Sequence, residues 1–247
     1  MKPFFKKFIQ FYLKLYTKII LWRFRPFVIA VAGSTNKTPV KDYSLKFLRE
    51  KYGADDVRGN PRSYNTEIGL PLAILYLDSG ESSFWKWLEV LVQAKMKALF
   101  SSNFPKKLVL ELGVGKEGDM RYLLGMVHPD WAVVTNIEGS YSDAESNLDE
   151  LQEEMKVLAK SLPAKGRIFL NFDDGRVRSL AKNTKAEVVG YGFSEDATAK
   201  ISNLKTTVEG QTFDFEFRGK KEPVEIKKYG RHNVYAWVIA KIVKESL

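Results

Sequence analysis

The chain contains no cysteine. That removes disulfides, thiolate zinc sites, iron–sulfur clusters and cysteine nucleophiles from consideration. Two histidines, His128 and His232, are too few for a histidine-rich metal centre. The first 25 residues hold no acid, and their longest charge-free stretch is the six residues from Phe8 to Leu13. A bilayer-spanning helix needs about 20 apolar residues, so this segment does not read as one. Nor does an uncharged run of about 7–15 apolar residues lead to a small-residue cleavage site, which speaks against a signal peptide. Internal repeats, low-complexity tracts and an obvious interdomain linker are also missing.

What is present fits a folded protein: 247 residues, 45% hydrophobic and 28% charged, enough to build a core without staples. The net charge of +9 is uneven. Residues 1–62 carry 14 Lys/Arg against 4 Asp/Glu, while the remaining 185 carry 25 against 26. A nucleic-acid-binding domain wears its basic surface on the folded part, so nucleic acid is disfavoured as a partner. An excess confined to one end points to an anionic surface met by the N-terminus.

Residues 1–25 interleave seven Lys/Arg with Phe4, Phe5, Phe8, Ile9, Phe11, Tyr12, Leu15, Tyr16, Ile19 and Trp22. At 100° per residue, Lys7, Gln10, Lys14, Thr17, Lys18 and Arg25 share one arc; the apolar residues fill the wider opposite arc, with Arg23 intruding. The pattern predicts a basic amphipathic helix over 1–25, stopped by Pro26. Two surfaces satisfy it: an anionic membrane face, or an apolar surface on this chain or on a partner.

From Phe27 the pattern becomes short apolar runs alternating with helical stretches. Strands are expected at Phe27–Val31, Leu108–Leu112, Ala132–Thr135, Ile168–Asn171 and Val188–Val189. Helices are expected near Val40–Lys51, Ile68–Leu77, Phe84–Phe100, Ser142–Ser161 and His232–Glu245, with 52–66 a polar loop. This alternation argues an α/β domain over 26–247: a mostly parallel sheet with helices on both faces. Residues 198–226, with Thr/Val/Phe alternation, read as a small antiparallel segment.

Two loops carry candidate chemistry. The first strand runs into Gly33-Ser34-Thr35-Asn36-Lys37-Thr38-Pro39, a turn opening a helix with a lysine and a hydroxyl. That is how backbone N–H groups cradle phosphates and hold magnesium. Asn36 stands where glycine is usual, and Asn is the non-glycine residue that best tolerates a left-handed backbone; Pro39 is acceptable in a first helical turn. The second strand ends in Glu111, which reads either as a magnesium ligand beside the phosphate loop or as an exposed acid at a strand end.

In order, Val28–Thr38, Tyr64–Leu72, Leu110–Met120, Pro129–Ile137, Asn171–Asp174 and Gly230–Tyr235 resemble the motifs of one family. It is the ATP-dependent central, phosphate-loop domain of the Mur ligases, and within them the branch that adds D-alanyl-D-alanine to UDP-N-acetylmuramoyl-tripeptide. The resemblance runs from about Phe27 to the C-terminus. It implies an ATP- and Mg2+-dependent carbon–nitrogen ligase of cell-wall peptidoglycan precursor synthesis, cytoplasmic or peripheral on the inner membrane face, working through an acyl phosphate. Carried over by position, Gly33 to Thr38 would cradle the phosphates, with Lys37 on the β/γ-phosphates, and Thr38 and Glu111 would hold magnesium. His232 and Asn233 would contact the adenine side of ATP; without the family they read as a core histidine and a helix N-cap. Asn65 and Thr66 would face a UDP-muramoyl-peptide-like substrate.

Four positions depart from the family pattern. Asn36 replaces its glycine and Pro39 its small hydroxyl residue. Tyr141 follows Thr135-Asn-Ile137 where the family has a histidine, and Met155 stands where it has a lysine that becomes carbamylated. A thioether cannot replace an anionic carbamate at a hard-oxygen site. The family's N-terminal uridine-nucleotide domain is replaced by the basic helix, and the chain stops where the amine-bringing domain would begin. If the chain is whole, a separate chain supplies that domain, or the protein is a catalytically degenerate binding or scaffold module.

Overall fold

Pro26, which has no N–H to extend a helix, turns the chain from its first helix straight into a buried strand. The computed structural model describes residues 3–61, 64–139 and 148–247. Its centre is a nine-stranded sheet of β1 (Phe27–Ala32), β2 (Val57–Gly59), β3 (Lys107–Glu111), β4 (Trp131–Val134), β5 (Arg167–Asn171), β6 (Glu187–Gly192), β7 (Ala199–Thr206), β8 (Gln211–Phe217) and β9 (Lys220–Ile226), in the order β2-β3-β1-β4-β5-β6-β7-β8-β9. Pairing is parallel from β2 through β7 and antiparallel across β7, β8 and β9. Ile29 to Ala32 of β1 are fully buried, as continuous apolar runs covered on both faces must be.

The order reverses at β1. From β1 the chain travels to the edge strand β2, returns to β3 beside β1, then crosses to the far side of β1 to lay down β4. Val31 pairs with Glu111 and Ala32 with Val134, so three strand ends converge. The crevice outside those carboxyl ends is where a doubly wound sheet binds its ligands.

One face is covered by α2 (Lys37–Tyr52) and α8 (Arg231–Ser246), whose Val40, Leu48, Val234 and Ile239 pack on Ile29, Val31 and Phe169. The other face carries α3 (Gly69–Leu75), α4 (Phe84–Phe100), α5 (Asp119–Leu124) and α6 (Leu148–Ser161), with the short α7 (Gly175–Ser179) following β5. The first helix, α1 (Pro3–Phe24), lies along α4 in the same direction: Phe5 meets Phe84 at a ring separation of 5.0 Å, and Arg23 donates to the carbonyls of Ala98 and Ser101 near α4's other end.

Where sequence expectation and structure differ, tertiary contact is the reason. Ile9, Leu13, Tyr16 and Ile20 of α1 enter the core, and Thr17, expected on the polar arc, is buried with them. The wide apolar arc is thus divided, leaving Phe4, Phe8, Phe11, Leu15 and Trp22 outside. The loop 52–66 contains β2, too short to show a period of its own and fixed by pairing Val57 with Lys107. The helix expected at Ser142–Ser161 is seen as Leu148–Ser161; residues 142–147, like Tyr141, lie outside the described residues. No helix among the described residues is long and apolar enough to cross a membrane.

Candidate functional site

The loop from β1 to α2 is held by the end of β4. Gly33 has φ +132°, and a Cβ there would stand 2.1 Å from Thr135 Oγ1, so only glycine lets the strands approach this closely. Thr135 donates its hydroxyl to the Thr35 carbonyl at 2.7 Å. The Asn136 side chain accepts from Thr35 N at 3.0 Å and donates to Thr35 Oγ1 at 2.7 Å, while its carbonyl accepts from Ser34 N at 2.9 Å. The Ser34 and Thr35 N–H groups are therefore committed within the protein. Asn36 sits at φ 62°, ψ 10°, the left-handed geometry at the turn into α2. Lys37 and Thr38 open that helix, and first-turn N–H groups have no intrahelical acceptor. With the helix dipole they are the part of the loop that would favour an anion.

Lys37 Nζ folds back to donate to Gly33 O at 2.6 Å and Ser34 O at 2.9 Å. Burial pushes its ammonium below the ordinary lysine range, and the Glu111 charge opposes that more weakly. Thr38 donates to Glu111 Oε2 at 3.3 Å. Glu111 is buried rather than exposed at its strand end. Its backbone N–H donates to Asn60 Oδ1 at 2.8 Å, and Lys41 Nζ stands 3.2 Å from Oε1 while donating to Asn60 O at 2.7 Å. The Lys41 contact is an ion pair by distance but lacks hydrogen-bond alignment, so Oε1 accepts no hydrogen bond. A hydroxyl beside a buried carboxylate oxygen of that kind fits magnesium, which takes hard oxygens and keeps waters and phosphate oxygens for its other positions. No group of three or more His, Cys, Asp or Glu able to hold a metal occurs among the described residues, so a cation here would draw few protein ligands.

Two hollows meet at this loop. The larger, about 450 Å3, runs from Asn36 and Asn136 past Asp173 and Asp174 to Arg231, His232 and Tyr235, with Val40, Tyr191 and Ile239 as its apolar floor. The smaller, about 350 Å3, is walled by Lys37, Asn65, Thr66, Gly113 and Asp119. A Cβ on Gly113 would lie 2.7 Å from the Asn65 side chain, so a larger residue there would displace it. Asp173 accepts from Phe193 N, Ser194 N and Tyr235 Oη, each at 2.8 Å, tying α8 to the end of β6. Burial and then Asp173 drive the Tyr235 phenol far up, and burial does the same to Tyr191, so both remain hydrogen-bond donors. Asp174 caps α7 through Arg176 N and Val177 N and accepts from Ile137 N at 2.7 Å.

Of the residues singled out from sequence, the structure gathers Gly33 to Thr38, Glu111, Asn65 and Thr66 around one junction. His232 is exposed on the rim of the larger hollow rather than in the core. Asn233 does not line it; its Nδ2 donates to Tyr229 O at 2.7 Å and lies 3.0 Å from His232 Nε2. Lys41, Asn60, Asn136, Asp173 and Tyr235 were not anticipated as site residues; the signal available was that three of them fall in the motif segments ending strands or opening α8.

Met155 is fully buried in the apolar core and faces neither hollow, and Lys156 pairs with Glu153 at 2.6 Å. Its neighbour Glu154 is also buried, accepting from Gly118 N at 2.8 Å and Met120 N at 2.7 Å, and so fastens α6 to the start of α5. Glu154→Ala should destabilise the fold by about 2–3 kcal/mol by leaving these donors unsatisfied. Urea denaturation checks this; a loss below about 0.5 kcal/mol would refute the assignment.

Compared with known proteins, the chain matches the Mur ligase middle domain over residues 31–243. It is 26% identical over 215 residues to UDP-N-acetylmuramoyl-tripeptide–D-alanyl-D-alanine ligase of Borreliella burgdorferi, covering 84% of this chain and 38% of that protein. It is 35% identical over 109 residues to UDP-N-acetylmuramate–L-alanine ligase of Rubrobacter xylanophilus, covering 44% of this chain and 23% of that one. The fold superposes on the MurF ligase of Thermotoga maritima in complex with ADP with a TM-score of 0.74 at 20% identity, over 96% of this chain and 49% of that chain. The chain thus spans less than half the length of these relatives.

Proposed function

We propose, since this chain belongs to the Mur ligase family through its middle domain, that it binds Mg-ATP in the larger hollow and the carboxylate of a UDP-muramoyl-peptide-like substrate in the smaller one. The observation that carries this reading is the placement of Lys37. It walls the smaller hollow at the first turn of α2, next to Asn36, which walls the larger.

In the reaction this supports, a carboxylate oxygen attacks the γ-phosphorus, forming a C–O–P linkage as the bond to ADP breaks. An amine then attacks the acyl carbon, forming the C–N bond as phosphate leaves. Most of the protein's work in such a transfer is positioning and charge neutralisation. The Lys37 ammonium and the opening N–H groups of α2 would neutralise the β- and γ-phosphates. Asn65 and Thr66 would orient the carboxylate, and the Val40–Tyr191–Ile239 floor with His232 at the rim would take the base. Thr38 and Glu111 would hold magnesium, which when bound offsets charge on the transferring phosphoryl group. The amine would come from a further domain or a separate chain. We assign the activity to the cytoplasm and to peptidoglycan precursor synthesis, as for the ligases it resembles.

A second reading, a binding module without turnover, is favoured by one observation: Met155 is packed in the core, and among the described residues no lysine of α6 lines either hollow. Calorimetric titration of the full chain with Mg-ATP tests the shared part, with micromolar binding expected; no heat up to millimolar nucleotide would overturn both readings. ADP release with muramoyl-peptide, D-alanyl-D-alanine and an amine-binding domain added separates them. Binding without release would leave only the module.

A further inference from the structure

The side-by-side helices α1 and α4 each turn a second apolar face outward. On α1 the exposed residues Phe4, Phe8, Phe11, Leu15 and Trp22 follow one another at spacings of four, three, four and seven, which is one helical stripe. It lies opposite the row Ile9, Leu13, Tyr16 and Ile20 that enters the core. On α4 the same division recurs: Trp87, Leu91, Ala94 and Ala98 are buried, while Trp85, Leu88, Val92, Met96 and Leu99 form an outer stripe. Trp22 is 71% exposed and Trp85 75%. Paired stripes of this size are not ordinary scatter of surface hydrophobics.

The charges around the stripes decide what covers them. Residues 3–25 carry no acid. Exposed Lys18 stands in the α1 stripe between Leu15 and Trp22, exposed Lys7 is one turn before Phe11, and exposed Lys95 is one turn before Leu99 on α4, whose stripe is also bordered by one exposed acid, Glu89. A second copy of this chain would bring the same cations against themselves, which opposes self-pairing. Aromatic side chains flanked by lysine on the acid-free α1, beside a second apolar stripe on α4 and on helices unable to span a bilayer, match an interface with anionic headgroups above and acyl chains below.

We propose that α1 and α4 together form a docking surface for an anionic lipid bilayer, both helices lying in the headgroup region with their outer stripes inserted. The surface is independent of the nucleotide cleft, which opens at the carboxyl ends of the strands.

The test is flotation of the full chain with vesicles of phosphatidylcholine alone and of phosphatidylcholine with 30% phosphatidylglycerol. Binding to the anionic vesicles should exceed binding to neutral ones at least tenfold and weaken with salt. The exposed-site variant F11S/W22S/W85S should lose at least tenfold while keeping the wild-type circular dichroism spectrum and Mg-ATP affinity. K7E/K18E should lose the preference for anionic lipid. Equal binding to both vesicles, no binding to either, or unchanged binding by the triple variant would overturn the proposal. So would dimerisation in ultracentrifugation that the triple variant abolishes, since that would make the face a self-interface. Mg-ATP titration of the same samples reads the cleft separately, so failure at the membrane and failure of the nucleotide reading are distinguishable.

Discussion

Lys37→Ala is expected to weaken Mg-ATP binding about 100-fold, equivalent to about 2.7 kcal/mol. The ammonium has two acceptors in its own loop, Gly33 O and Ser34 O, and a position at the first turn of α2. Removing it deletes the charge nearest the proposed phosphates while leaving Asn36 and the Asn136 latch in place. The variant should therefore stay folded, and a drop smaller than threefold would mean that the phosphates lie elsewhere. A pH dependence follows from the depressed ammonium. Phosphates would raise its pKa again on binding, so protons are taken up with nucleotide at pH values between the free-state and bound-state pKa. Affinity is full below the depressed free-state pKa and falls as pH rises through it toward the bound-state value. Calorimetry in buffers of different ionisation enthalpy measures that uptake, and Lys37→Ala should abolish it.

Lys41→Met should cost about 3–5 kcal/mol of stability, because it strands the buried Glu111 carboxylate without its cation. It also removes the donor to Asn60 O, although Asn60 still donates to Tyr64 O and accepts from Glu111 N. The double variant Lys41→Met/Glu111→Gln should recover at least 1 kcal/mol relative to the sum of the single changes, since neither then leaves a charge unpaired. Urea denaturation of the four proteins reads this cycle; additive losses would show that the two groups do not interact. Millimolar magnesium should stabilise Lys41→Met more than the starting protein, because the Glu111 carboxylate would then meet the metal without a neighbouring ammonium.

The alternation of strands and helices was legible because each central strand is a run of apolar residues long enough to outweigh its neighbours. Phe27–Val31 and Leu108–Leu112 are examples, and they stand as β1 and β3 within one residue. β2 was not legible: three residues carry no period, and only β3 makes them a strand. In α1 the moment was visible but its meaning was not. Apolar residues occupied more than half the circumference, and which of them turn inward depends on α3 and α4, far along the chain. The turn between β1 and α2 could be read from Gly33 and Asn36 because its positive-φ backbone favours those types locally. Lys41 could not, since a lysine one turn into a helix looks like an exposed one until Asn60 and Glu111 close over it. For Asn233 the sequence left two readings, helix N-cap or adenine contact; Gly230 holds the cap position, and Asn233 Nδ2 donates to Tyr229 O.

The margins of the sheet have a consequence of their own. At one side β2 offers only three residues of open backbone, and at the other β9 reads Lys220, Lys221, Glu222, Pro223, with a proline that cannot donate and charges that resist a dry neighbour. Such margins are poor templates for strand addition. Nine strands in register would otherwise invite ribbon-like growth from molecule to molecule. Here growth in that direction is stopped at both borders, and crowding or partial unfolding should drive this protein into amorphous clusters before it builds fibrils.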